Sequence, residues 1–329
     1  MTVTGVPEAL AGAPEVPDAA GRRSPWRVVA IRIGHSVLVL WGAVTLTFLA
    51  LHLVRGDVVD AIVGNNMSVT PAVREQIARQ YGLGEPLWQQ YLSYLGRLVG
   101  GDLGVSYQLD EPVTRVIGSE IGPTLQLMAL ATLFAAVLSL VMAILSARRG
   151  SWLRGLFRTL EVAGVAIPQF WIGILLLTVF SFGLNWFPVV SGGPVGLVLP
   201  AITLGLPLVG VLAPVLREGM ERALEEPFVI TVRARGAGER TVLTRHVLRH
   251  ALAPAVTLLG LLSASLAGGA VVVEQVFSRP GIGQVLTTAV VNKDIPVVLG
   301  IVLLTALFYV VVNLIVDLLY PLIDPRLRD

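Results

Sequence analysis

Six long runs of apolar residues, separated by polar segments, dominate the pattern of the chain. The runs lie at about residues 33–54, 123–147, 160–184, 198–216, 252–273 and 297–320. A helix of roughly 20 apolar residues crosses a bilayer core of about 30 Å, so each run predicts one transmembrane helix. The fourth run contains three prolines and is the weakest of the six. The pattern therefore predicts an all-α polytopic membrane protein with six transmembrane helices.

The distribution of basic residues predicts which side of the membrane each segment occupies. Of the 24 lysines and arginines, 17 lie before the first span, after the last span, or in the loops that follow spans two and four. Loops rich in Lys and Arg stay in the cytoplasm. We therefore expect cytoplasmic N and C termini and an extracytoplasmic loop at residues 55–122. Omitting the fourth span would place the arginines from Arg217 to Arg249 outside, against this rule.

The predicted spans divide the chain into four parts. Residues 1–25 are rich in Ala, Pro and Gly and are expected to form a disordered cytoplasmic tail. Residues 26–54 hold an N-terminal segment and the first transmembrane helix, and residues 55–122 form the external loop. Residues 123–329 are expected to form a five-helix core with a cytoplasmic loop at 217–252.

The external loop contains two helical patterns of its own. Thr70 followed by Pro71 is typical of a helix start, and a second amphipathic pattern begins after Pro86. The apolar positions of the second pattern, at helical spacing, are Leu87, Tyr91, Tyr94, Leu95 and Leu98. In this interpretation both helices lie on the outer face, where they either receive an external partner or only cap the bundle.

The composition agrees with a membrane location and excludes several kinds of chemistry. The chain is 54% hydrophobic and 14% charged, with a mean hydropathy of +0.77, whereas soluble domains carry about 25% charged residues. The net charge of +2 gives no indication of a nucleic-acid partner. Without cysteine, the chain has no disulfides, thiolate metal ligands or Cys nucleophile. Lys293 is the only lysine and is not in a Walker A motif, so any ATP must bind another chain.

The most basic segment runs from Val232 to Pro254 and has the sequence VRARGAGERTVLTRHVLRHALAP. The acids before Pro227 are typical of a helix start, and Gly236 and Gly238 are expected to end that helix and form a hinge. A second helix is predicted from near Glu239. Its basic face, opposite the apolar face, consists of Arg245, His246, Arg249 and His250.

Three interpretations of this basic segment compete. Positive charge that contacts lipid headgroups explains the arginines but not two helices around a glycine turn. A metal site on His246 and His250, spaced i,i+4, lacks a nearby acid or third ligand. The third interpretation is a docking element for a cytoplasmic motor protein.

A series of short motifs extends this interpretation over almost the whole chain after residue 30. Besides VRARGAG and TRHVLRHALAPAVTLLG, they are FLALHLVRGD, YGLGEPLWQQYLSYLGRLVGGDLGVS, PTLQL, ARRGSW, IPQFWIG, LNWFP, GGAVVVEQVFSRPGIG, KDIPVV and VDLLYPLIDPRLR. In this order they resemble the permease subunits of ABC importers of the dipeptide, oligopeptide and nickel family. The peptide branch typically has Arg-Thr-Ala-Arg-Ala-Lys-Gly at the basic loop, where this chain has Ile230 for the first basic residue and Val232 for the first alanine.

The resemblance implies a type I ABC-importer permease fold and a transport function without an ATPase site in this chain. It implies four kinds of partner: a homologous second permease, two ABC ATPases that use ATP and Mg²⁺, an extracytoplasmic substrate-binding protein, and the lipid membrane. Di- or oligopeptides are the implied cargo, with nickel or another solute as the alternative within the family. No cofactor or metal is expected on this chain itself.

The resemblance also implies which residues couple the chain to an ATPase. The implied coupling residues are Glu226, Pro227, Phe228, Thr231, Val232, Arg233, Ala234, Arg235, Gly236 and Gly238, with Arg245, His246 and Arg249 on the basic face behind them. On the opposite side of the membrane, a gate or binding-protein contact is expected at Glu274, Phe277, Pro280 and Gly281, with a purely structural role for Glu274 as the alternative.

Other residues in the predicted spans bear on two alternative functions, a secondary transporter and an intramembrane protease. Glu161 is expected near the cytoplasmic interface, where water would solvate it, and Pro168 and Pro207 are expected to break spans three and four. A secondary, ion-coupled transporter would need paired acids or histidines at mid-membrane depth and inverted repeats, and neither is evident. An intramembrane protease would need a histidine at the depth of Ser139 or Ser181, which the sequence does not provide.

Overall fold

The computed structural model describes residues 25–54, 56–63, 70–147, 151–190 and 193–323, with backbone only at 25–29, 151 and 317–323. Throughout these ranges every regular element is a helix. The predicted disordered tail at 1–25 lies outside the described residues except for Pro25.

The described helices are numbered in chain order. They are α1 (Pro25–Leu53), α2 (Val58–Val63), α3 (Pro71–Gln80), α4 (Leu87–Val99), α5 (Val113–Ser146), α6 (Ser151–Ala166), α7 (Gln169–Leu176), α8 (Val198–Glu225), α9 (Pro227–Ala234), α10 (Glu239–Thr241), α11 (Leu248–Val276), α12 (Ile282–Val291) and α13 (Ile295–Ile323). A π-helical segment at Leu177–Gly183 extends α7, and another at Val242–Val247 joins α10 to α11. A 3₁₀ turn at Val195–Leu197 precedes α8.

Five of the described helical stretches are long and apolar enough to cross a membrane. They are Ala30–Leu53, Val113–Ser146, Val195–Glu225, Glu239–Val276 and Ile295–Val316. A sixth crossing is formed if the pair Trp152–Ala166 and Gln169–Gly183 counts as one broken span, bent by 111°. The predicted number of six is thus compatible with the fold.

The third predicted span, at 160–184, is broken at Pro168, as the sequence predicted. Pro168 has no N–H to donate, and its ring disfavours helical backbone at the preceding residue. The chain therefore leaves the helical path after Ala166, and α7 starts again at Gln169 in a new direction. The proline was expected to break the third span, and the structure adds the size of the bend.

Two further boundaries differ from the sequence prediction. The second span begins at Val113 rather than 123, because Pro123 is accommodated inside α5. The expected break at Pro207 is also absent, since α8 continues through both Pro207 and Pro214 to Glu225. Helix α8 consequently reaches the predicted cytoplasmic loop without interruption.

The described residues divide by their contacts into two compact units, with the boundary between Val39 and Leu40. In the first unit, residues 25–39 are helical, and the side chains from Ala30 to Val39 are almost all exposed. The second unit holds the rest of the helices and the core, and the features described below lie within it.

Helices α5, α8 and α11 form the central core of the second unit. Leu127 and Ala131 of α5, Leu204 of α8 and Ala270 of α11 are almost completely buried in one cluster. The backbones of α5 and α8 come so close that a Cβ on Gly205 would lie 2.7 Å from the carbonyl oxygen of Ala131. Helix α8 is therefore held rigidly at the centre of the bundle.

The two ends of α5 mark two ends of the bundle. With 34 residues at about 1.5 Å per residue, α5 is about 50 Å long. Ala143, near the C-terminus of α5, packs in a cluster with α8, α9 and the start of α11. We call this end of the bundle the α9 end. Val113, the N-terminal residue of α5, packs with α12 and α13. Beside them, α4 packs against α1 and α13. We call this end of the bundle the α4 end.

Large apolar side chains cover much of the outer surface of the described helices. Examples are Leu46, Leu133, Val162 and Phe182, each more than half exposed. An apolar surface of this extent is suited to lipid or to apolar helices of a partner subunit rather than to water.

Candidate functional site

Helix α9 begins at a sharp corner at the end of α8. Glu226 has extended backbone angles (φ −70°, ψ 144°), and Pro227 occupies the first helical position, where a missing N–H has no cost. The Val229 N–H donates to the Glu226 carbonyl oxygen at 3.0 Å and closes the first turn. The predicted helix start at this position is confirmed.

One side of α9 is anchored and the other is open. Val229 is 1% exposed and packs among Met220 of α8 and Val242 and Val247 before α11. Ile230, about 100° further around the helix, is 71% exposed. Arginine is enriched at interfaces between proteins, and an exposed apolar side chain among arginines suits such a contact. The remaining predicted coupling residues on this surface, Glu226, Pro227, Thr231, Arg233, Ala234 and Arg235, are also exposed.

The turn after α9 depends on Gly236. Its φ of +81° lies in the left-handed region that favours glycine, and its N–H donates to the Arg233 carbonyl oxygen at 2.9 Å. Gly238 has φ −66° and ψ 153°, which any residue adopts, and the space around it is open. The expected double-glycine hinge therefore has one position that requires glycine.

Two side-chain contacts brace α9 against the following helix. The Arg233 Nε lies 3.2 Å from the Glu239 Oε1 across the glycine turn. The Phe228 ring stacks on the His250 ring, with centroids 4.9 Å apart. Of the predicted basic face, Arg245 and Arg249 are exposed and His246 is half-buried. The stacking of His250 on Phe228 was not predicted, because it depends on the packing of α9 against α11.

A buried ion pair ties α8 to α6 near the same end. The Arg217 guanidinium donates Nη1 to Glu161 Oε1 at 2.5 Å and Nη2 to Glu161 Oε2 at 3.0 Å, and both side chains are buried. A second pair, Arg154 with Glu221 at 3.5 Å, is partly exposed. The expectation that water solvates Glu161 is wrong, since Arg217 compensates its charge inside the protein.

A second cluster surrounds Glu274 near the α4 end. The Thr124 hydroxyl donates to Glu274 Oε1 at 2.6 Å, and the Gly283 N–H donates to Oε2 at 2.7 Å. Thr124 Oγ1 in turn accepts from the Ile282 N–H at 2.9 Å. A Cβ on Gly281 would overlap the Glu274 carboxylate, so the turn closes around this group. Glu274 thus holds the turn to α5 and α12.

The burial of this turn limits which predicted residues offer a surface to an external protein. Glu274 and Phe277 are 0% and 2% exposed, and Gly281 is buried as well. Among the four predicted residues, only Pro280 is exposed. In this conformation the other three residues support the turn from inside. This agrees with the purely structural role that was the alternative for Glu274. A gating role of the turn stays a prediction.

A third polar cluster joins the segments of the α4 end. The buried Asp294 carboxylate accepts the Ser106 hydroxyl at 2.5 Å and the Tyr107 N–H at 3.1 Å. Next to it, the Lys293 Nζ donates to the carbonyl oxygens of Gly56 at 2.7 Å and Val54 at 3.2 Å. The end of α1, the loop before α5 and the start of α13 are thereby fixed to one another. No sequence signal pointed to these contacts, which join residues far apart in the chain.

The fold and these clusters define a class of protein: a polytopic all-α membrane subunit that presents an anchored helix at one end of its bundle. Residues 135–329 match the family model described as the binding-protein-dependent transport system inner membrane component. The chain belongs to this family: it is a permease subunit of an ABC importer and a multi-pass protein of the bacterial inner membrane.

Named relatives are similar over most of their length. A Brucella suis protein named as a peptide permease is 38% identical over 298 residues, which cover 86% of this chain and 93% of the relative. The glutathione transport system permease protein GsiC of Escherichia coli O6:H1 is 37% identical over 285 residues, covering 86% and 92%. A Brucella abortus protein named as a peptide transport system permease is 35% identical over 309 residues, covering 90% and 97%. Membership in the family implies, in general terms, a permease partner, ATPase subunits and a binding protein.

Proposed function

We propose that this permease imports di- or oligopeptides, or chemically similar small solutes, by ATP-driven alternating access. The names of the peptide and glutathione permeases among its relatives support the cargo class. The observation that carries the coupling role is the arrangement of α9, which is anchored through Val229 and exposes Ile230 beside arginines.

In this mechanism the partner ATPases bind all the ATP and Mg²⁺, and one of them receives α9. In the proposed orientation, which follows the arginine distribution, the α9 end lies in the cytoplasm and the α4 end lies outside. A second, homologous permease completes the pathway, and an external binding protein delivers the cargo. Nickel or another solute is the alternative cargo.

Movement of α9 has two physical routes into the bundle. Helix α8 continues directly into the corner at Glu226, and the Arg217–Glu161 pair passes its displacement to α6. On the other side, the Arg233–Glu239 pair and the Phe228–His250 stack connect α9 to α11. Because both routes are packed and paired, a push on α9 displaces helices rather than bending side chains.

Reconstitution in proteoliposomes tests this proposal. The complete set of permeases, ATPases and binding protein is expected to take up a labelled dipeptide only when ATP is present. Uptake by this chain alone, or uptake driven by a proton gradient without ATP, would contradict the mechanism. Nickel uptake without dipeptide uptake would leave the mechanism intact and replace the cargo class.

The variant Ile230→Asp tests the docking surface separately. It places a charge where an apolar contact with the ATPase is proposed, so we expect at least tenfold less co-purifying ATPase, with the permease itself folded because Ile230 is exposed. Val73→Asp, at a half-exposed apolar residue of α3, is the matched control and should retain the ATPase. Normal ATPase recovery with Ile230→Asp would exclude Ile230 from the contact.

A further inference from the structure

A large cavity lies at the α4 end, away from α9 and from the central core. It is partly open to the surface, has a volume of about 870 Å³, and is lined by α3, α4, the loop before α5, and the ends of α1 and α13. Cavities of this size hold small organic ligands in many proteins. None of the residues proposed above for coupling to the ATPase lines it.

Tyr94 contributes the apolar part of its side chain to the cavity wall. Its side chain is 4% exposed and packs in one cluster with Phe48 and Leu299, while its hydroxyl is buried and has no hydrogen-bond partner in the described part of the chain. The hydroxyl exposes less than 1 Å² of its surface, so a ligand in the cavity would contact the rest of the side chain and not this group.

Side chains of opposite charge line the same cavity. Burial raises the pKa of Tyr94 and of Tyr107 to about 12. Arg97 lines the cavity near both residues, and its positive charge opposes this rise. Asp110 lines the cavity near Tyr81, whose pKa is raised by burial and then by the Asp110 charge. Within the described residues, neither Arg97 nor Asp110 has an ion pair or a side-chain hydrogen bond.

Two aromatic rings belong to the lining of the same cavity. Tyr81 and Tyr107 contact each other with ring centroids 4.8 Å apart at 57°, and both rings line the cavity. Aromatic walls bind apolar or aromatic side chains without fixing their identity. The cavity thus offers aromatic and apolar walls together with groups of both charges, Arg97 and Arg79 being the cations and Asp110 and Glu85 the anions.

We propose that this cavity binds a zwitterionic short peptide, with its carboxylate at Arg97 and its ammonium group at Asp110. An arginine suits a carboxylate because its donors form paired, charge-assisted hydrogen bonds. The requirement for a zwitterion comes from the cavity, whereas the choice of a peptide rests on the proposed function. The site would hold cargo at the outer surface of the permease, separate from the binding protein.

Equilibrium dialysis tests the site. The permease pair is placed in phosphatidylcholine nanodiscs without binding protein and ATPases, and the probe is radiolabelled alanyl-alanine. The wild-type complex is expected to bind it, and to bind the N-acetylated and C-amidated forms at least tenfold more weakly. Tyr94→Phe removes only a hydroxyl that the cavity does not reach, so it is a control and should bind the unmodified dipeptide like the wild type.

Two variants assign the two ends of the ligand. Arg97→Gln should weaken binding of the free acid about tenfold and abolish its preference over the amide. Asp110→Asn should do the same for the free amine relative to the acetylated form. Arg115→Gln and Glu111→Gln alter exposed charges that do not line the cavity, so both controls should bind like the wild type.

Three results would overturn the inference. The first is that the wild-type complex does not bind the dipeptide, and the second is that Arg97→Gln and Asp110→Asn both bind it like the wild type. The third is that binding is lost when the nanodiscs contain phosphatidylethanolamine, because its zwitterionic headgroup would then be the occupant. ATP-dependent dipeptide uptake by the complete complex is measured in parallel. If uptake persists without binding at this cavity, only the inference fails; if uptake also fails, the proposed peptide cargo fails with it.

Discussion

At the residue scale, the connection from α9 to α11 depends on the backbone angle of a single residue. Gly236 adopts φ +81°, whereas Gly238, two residues later, has angles open to any amino acid. The two glycines look equivalent in the sequence, and only the structure distinguishes them. Their difference provides a matched pair of substitutions that separates backbone strain from side-chain bulk.

Gly236→Val is expected to uncouple ATP hydrolysis from transport while the complex still assembles. A β-branched residue in the left-handed region costs about 1–2 kcal/mol, so the turn relaxes and α9 no longer moves with α11. The measurement is dipeptide uptake per ATP hydrolysed in proteoliposomes, which should fall severalfold.

Gly238→Val is the control for that change, because its side chain enters open space without backbone strain. It should transport like the wild type. Equal loss of coupling in both variants would show that flexibility or bulk, rather than the Gly236 conformation, governs the turn.

At the scale of helices, the contact between α6 and α8 is the tightest link between the coupling corner and the broken span. A Cβ on Gly210 would lie 2.5 Å from the Glu161 carbonyl oxygen, and the side chain of the same glutamate pairs with Arg217. Close backbone contact and a buried ion pair thus coincide. The two helices are therefore expected to move together.

Glu161→Gln is expected to destabilise the protein strongly. It leaves the Arg217 charge buried without compensation, and breaking a buried pair in this way costs about 3–5 kcal/mol. The measurement is the apparent melting temperature of the purified permease, which should fall by several degrees.

Two comparisons make the result specific to the buried pair. Glu218→Gln removes an exposed carboxylate that lies 3.3 Å from Arg222, and exposed pairs contribute at most about 1 kcal/mol. The double variant Glu161→Leu with Arg217→Met removes both buried charges and should recover part of the loss. A melting temperature for Glu161→Gln as high as that of Glu218→Gln would contradict the assigned role.

At the scale of the whole molecule, the sequence predicted what depends on local pattern and missed what depends on distant contacts. Apolar runs of span length and helix-start residues such as Pro71 and Pro227 identified most helices, because these signals act within a few residues. The sequence did not predict the size of the bend at Pro168, since the packing of both halves sets it. Glu161 and Arg217 are 56 residues apart, so their pairing follows only from the assembled helices.

The contacts of Lys293 at the corner between α12 and α13 have a consequence for experiments on intact cells. Because it is the only lysine in the sequence, amine-directed reagents have one side-chain target, and its contacts with Val54 and Gly56 locate that target at the α4 end. A membrane-impermeant succinimidyl ester should modify the Lys293 peptide in spheroplasts and spare it in sealed inverted vesicles, with Lys293→Arg as the unreactive control. The opposite pattern would reverse the proposed orientation, so one naturally unique lysine reports the topology of the entire protein.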